Sequence, residues 1–69
     1  MSATKDAAKQ ILAAGLAAQR GIPIEAADDL VYHIQEIIWE FEDGMGSYES
    51  VEQVLIDFGI PPSLAWVFC

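Results

Sequence analysis

Few residues of this 69-residue chain carry side chains able to do chemistry, and the most versatile of them is His33, the only histidine. Asp29 and Glu36 lie about one helical turn to either side of it, and a histidine among carboxylates can serve as a base or join a metal site. A zinc site wants several nitrogen or sulfur ligands, whereas this chain adds only Cys69 to its one histidine. His33 therefore reads as a flanking residue of a helix, and no metal is expected.

The acidic stretch from Glu40 to Glu52 contains glycines and lies between two helical patterns, which invites comparison with a calcium-binding EF-hand loop. Such a loop needs oxygen ligands at its first, third and fifth places and a glycine at the sixth. Setting Gly44 at the sixth place puts Trp39 and Phe41 at the first and third, and setting Gly46 there puts Phe41 at the first. Neither register can coordinate calcium. Small acidic carrier proteins attach a prosthetic arm to a serine in an Asp-Ser-Leu sequence, but the nearest match here is Pro62-Ser63-Leu64. The aspartate is missing, and no cofactor is expected. The chain also lacks a serine nucleophile elbow, a glycine-rich phosphate loop and paired carboxylates with a pocket to enclose them, so it is read as a non-enzyme.

What remains is an uneven distribution of charge and aromatic surface. The formal charge is -8, from 3 Lys and Arg against 11 Asp and Glu. Lys5, Lys9 and Arg20, with Asp6 as the only acid, make residues 1–20 basic; residues 21–69 hold the other ten acids and no Lys or Arg. Phosphate binding depends on Lys and Arg replacing counterions, so direct contact with nucleic acid is not expected, and a basic protein surface is the natural partner. All seven aromatic residues, Tyr32, Trp39, Phe41, Tyr48, Phe58, Trp66 and Phe68, lie in the acidic part. Trp and Tyr are over-represented at binding hot spots. The competing reading is that Trp39 and Trp66 close the bundle or a homodimer seam.

The elements that must position these groups are helical. Residues 4–19 hold many alanines, which have the best helix propensity, with Ser2 or Thr4 as the cap, Asp6 in the first turn and Arg20 at the end. Ala7, Ile11, Ala14 and Ala18 form one stripe, with Leu12 and Leu16 to its side. Gly21 then stops the helix and Pro23 starts the next. Over residues 24–42, Ala27, Leu30, Val31, Ile34, Ile37, Ile38 and Phe41 recur at helical spacing and fall within about 60 degrees of Ile34 on the helical wheel. Tyr32 and Trp39 fall on the reverse side, two turns apart, among Glu25, Asp28, Glu36 and Asp43. Such a helix is either packed on both sides or displays an aromatic pair in an acidic field.

Gly44 and Gly46 break the chain, and Ser47 or Ser50 can cap a third helix over 50–58, where Ser50-Val51-Glu52-Gln53 has the form of a capping box. Val51, Val54, Leu55 and Phe58 give it a full apolar stripe, and Gly59, Ile60 and Pro61-Pro62 end it. Residues 62–68 form a last short helical turn with Leu64, Val67 and Phe68 inward. Gly-Ile-Pro occurs at 21–23 and again at 59–61, each between helices, as reused turn chemistry. The expected fold is one all-α domain over 1–69, a small bundle of three main helices plus a short C-terminal helical turn. No stretch reaches the roughly 20 apolar residues of a membrane span, no secretory signal is read, and a lone cysteine suits a reducing cytoplasm.

In size, charge and lack of catalytic motifs the chain resembles a class of small acidic helical proteins from phages and mobile elements, anti-CRISPR proteins and DNA mimics among them. Acidic bacteriocin immunity proteins share the same physics. The resemblance implies an inhibitor that occupies the nucleic-acid-binding surface of a partner protein. The contact would be made by Glu36, Glu40, Glu42, Asp43, Glu49 and Glu52, with Tyr32, Trp39 or Tyr48 as the desolvated anchor. The alternative is a self-associating structural or regulatory protein, paired through the reverse side of the second helix or the Leu64, Trp66, Val67, Phe68 end, in which the acids serve only solubility. A nucleic-acid-binding domain built on the first helix is the weakest fit, with three basic residues against eleven acids.

Overall fold

In the computed structural model, the backbone is described for residues 2–43 and 48–69 and the side chains for residues 4–41 and 49–69. Three main helices, α1 (Ser2–Arg20), α2 (Ile24–Asp43) and α3 (Tyr48–Asp57), are followed by a 3₁₀ turn (Pro62–Leu64) and a short helix α4 (Ala65–Phe68). The fold is all-α, and no strand occurs among the described residues. Gly44, Gly46 and Ser47, read as breakers and cap, lie outside those residues. The chain divides into two compact units, Met1–His33 and Ile34–Cys69, so α2 contributes its first half to one and its second half to the other.

In the first unit, α1 begins at Ser2, which places Thr4 within the helix and Asp6 beyond its first turn, so neither plays the part expected at the N-terminus. Arg20 does stand in the last turn, where a cation complements the carbonyl end of the helix dipole. The helix ends at Gly21, whose φ of 65° lies in the left-handed region that glycine adopts without a steric penalty. The Ile22 N–H then reaches back 3.1 Å to the Ala17 carbonyl, the six-to-one bond of a Schellman cap. Proline at position 23 bars Ile22 from continuing the helix, and the Pro23 carbonyl accepts from the Ala27 N–H at 3.1 Å to begin α2.

The face of α1 that is buried differs from the expected stripe. Ala13 and Leu16 are buried, with Leu12, Lys5 and Lys9 half-buried beside them. Ala7, Ile11, Ala14 and Ala18 are all exposed, Ile11 to 75%. At about 100 degrees per residue the two sets stand on nearly opposite sides of the helix. Leucines four apart remove more apolar area from water than alanines do. Ala27 and Val31 supply the buried positions of α2 within this unit.

The second unit holds the larger side chains. Ile34 and Ile38 from α2, Val51, Val54 and Leu55 from α3, Ile60, and Ala65, Val67 and Phe68 from α4 are buried, and α3 packs against both the 3₁₀ turn and α4. Val67 and Phe68 point inward as expected and Leu64 is half-buried. Phe41 is a correction: it lies within about 20 degrees of Ile34 on the wheel yet is 36% exposed. Seven residues also carry it about 10 Å further along the axis, and helical periodicity fixes a direction without fixing how far the neighbours extend. Ser50 is a second correction, because α3 begins at Tyr48 and Ser50 falls inside its first turn rather than at the cap.

Helix α3 ends in the same chemistry as α1. Gly59 has φ 76°, the Gly59 N–H donates to the Ile56 carbonyl at 2.9 Å, and the Ile60 N–H donates to the Leu55 carbonyl at 2.8 Å. Together they complete the Schellman pair. Pro61 precedes another proline and is held extended at φ -57°, ψ 131°; its carbonyl accepts from the Leu64 N–H at 3.1 Å to start the 3₁₀ turn.

Candidate functional site

The candidate site grows from the sequence of α2 beyond Ile34. Ile34 and Ile38 are buried, and the residues about half a turn away, Glu36, Trp39 and Glu40, face water. Spacings of three and four residues set the Cβ atoms of Trp39 and Glu40 each about 5–6 Å from that of Glu36. All three are exposed, Trp39 to 48%. An indole flanked by two carboxylates offers a flat apolar surface within a negative field, a combination that suits a cation carried on an apolar stem.

The other expected contact residues stand elsewhere. Tyr32 is 59% exposed but belongs to the first unit, whereas Trp39 belongs to the second. Glu42 and Asp43 are the last residues of α2, and their side chains, like that of Tyr48, lie outside the described ones. On α3, Glu49 is exposed in the first turn and Glu52 is half-buried. Glu36, Trp39 and Glu40 are thus the part of the expected set that a single stretch of helix brings together.

The electrostatics of this stretch work against the helix that carries it. Glu36 and Glu40 are a like-charge pair at i, i+4, which destabilises a helix by a few tenths of a kcal/mol. The last turn of α2 contains no basic residue and ends in acids, opposite to what the dipole favours. At the end of α3, Asp57 accepts a hydrogen bond from the Gln53 amide, Nε2 to Oδ1 at 3.0 Å, one turn earlier.

One polar residue of the second unit had no clear signal in the sequence. Gln35 is 3% exposed, and its Nε2 donates to the Phe68 carbonyl at 3.1 Å across 33 positions of sequence. The last carbonyls of a helix have no intrahelical partner, so a buried side-chain donor is what allows the end of α4 to be buried. On the wheel Gln35 lies about 100 degrees from Ile34, on the flank of the apolar face, where either burial or exposure is ordinary. The bond holds α4 to α2 one helical turn before Trp39.

The remaining candidates lack assembled chemistry. His33 and Cys69 are both exposed, and among the described residues no group of three or more His, Cys, Asp or Glu converges on a position that could hold a metal. Trp66 is 44% exposed and Trp39 48%, so neither tryptophan is consumed in closing the core, and Ile56 is 51% exposed. No described helix is long and apolar enough to cross a membrane. Compared with family models, curated proteins and solved structures, the chain matches none of them.

Proposed function

We propose that the protein is a small acidic binding module of the phage or mobile-element inhibitor type, similar in action to anti-CRISPR proteins or DNA mimics. It acts in the cytoplasm and occupies a basic, nucleic-acid-binding surface of a partner protein. The observation that carries this reading is the exposed trio Glu36, Trp39 and Glu40 on one face of α2. It stands in a segment, residues 21–69, that contains no Lys or Arg to neutralise it. The carboxylates take the places of phosphates, long-range attraction speeds encounter, and Trp39 supplies the desolvated anchor.

Capture of the partner from the native host, repeated across a salt series, tests the mechanism. Affinity falls as salt rises, because exposed charges are screened within about 8 Å at physiological ionic strength. Reversing both charges in the double variant Glu36→Lys, Glu40→Lys weakens capture at least tenfold at low salt, and Trp39→Ala weakens it roughly 30-fold, as loss of a hot spot of about 2 kcal/mol does. Circular dichroism shows whether each variant keeps its helices. Salt-independent capture, or full capture by the double variant, rules the mechanism out.

Self-association is the second reading, favoured by the exposure of Ile56 and Trp66. It cannot draw on Val67 and Phe68, which the second unit buries in its own core. Sedimentation separates the two readings: a monomer at all concentrations removes the second, and a tight dimer that shields Trp39 removes the first.

A further inference from the structure

We draw no further inference here: the strongest candidate, the exposed face of α1 on which Ile11 stands among Ala7, Ala14, Gly15 and Ala18, is a stripe of small residues, and nothing in the structure shows what covers it.

Discussion

The tripeptide Gly-Ile-Pro ends α1 and also ends α3, and the two turns share a backbone while differing in what surrounds it. In both, the glycine is left-handed, at φ 65° and 76°, and the isoleucine N–H closes a six-to-one hydrogen bond onto the helix it leaves. The isoleucines part company in burial: Ile22 is half-buried, whereas Ile60 is 2% exposed. The residues that accept those bonds differ too, Ala17 in the first turn and the fully buried Leu55 in the second. The chain beyond each turn also diverges, since Pro23 opens a 20-residue helix and Pro61-Pro62 opens only a 3₁₀ turn and one turn of α-helix. The same three residues thus specify a stop in both places, and the packing around each stop decides how much stability depends on it.

The largest expected effect separates the two isoleucines. Ile60→Ala costs about 3 kcal/mol, in the range for emptying a fully buried site, and Ile22→Ala costs about 1 kcal/mol because that side chain is already partly wet. Urea unfolding of both variants measures the gap, and equal costs would show that burial does not distinguish the turns. In a chain this small, whose total stability is a few kcal/mol, the Ile60 variant should be largely unfolded at 37 °C.

Beyond the second turn, Gln35→Leu is expected to cost about 2 kcal/mol, because it removes the buried amide that donates to the Phe68 carbonyl. Hydrogen exchange in this variant should quicken at the amides of α4 and leave those of α1 unchanged. Uniform quickening would mean that the bond stabilises the whole chain rather than its last helix.

Alanine at either turn glycine tests what the turns share. Gly21→Ala and Gly59→Ala each force a Cβ into the left-handed region and should cost about 1 kcal/mol apiece, with no large difference between them. A methyl group at position 21 would meet open space, so its cost is conformational rather than steric. A marked inequality between the two would show that the caps are not equivalent.

The smallest expected effect has the opposite sign. Gly15 lies inside α1 with nothing within 4 Å of the position a Cβ would take. Gly15→Ala should therefore stabilise the protein by about 0.5–1 kcal/mol, seen as a rise in the thermal midpoint. A fall would show that this face of α1 is covered.

Much of the candidate site's arrangement was legible before any packing was known. That Glu36, Trp39 and Glu40 lie together opposite Ile34 and Ile38 follows from helical spacing alone. The choice between a helix packed on both sides and one displaying its aromatics was not legible, because a tryptophan suits either setting, and the 48% exposure of Trp39 comes from what the rest of the chain leaves uncovered. Helix α1 misled for a related reason. An alanine-rich helix has apolar residues on both sides, so periodicity offered the Ile11 stripe and the Leu12–Leu16 side together, and only the area each could bury separated them.

The order of residues by itself determined which stretches are helical and where α1 and α3 stop, because propensity, left-handed glycine and the constraint before proline act within a few positions of chain. It likewise determined the sign of the surface, since no Lys or Arg comes after Arg20. Tertiary structure alone decided which side of α1 is buried, how far the core reaches toward Phe41, and that Gln35 is the residue to satisfy Phe68. Those outcomes rest on contacts between residues far apart in sequence, where area removed from water and the partnering of buried polar atoms outweigh any local preference.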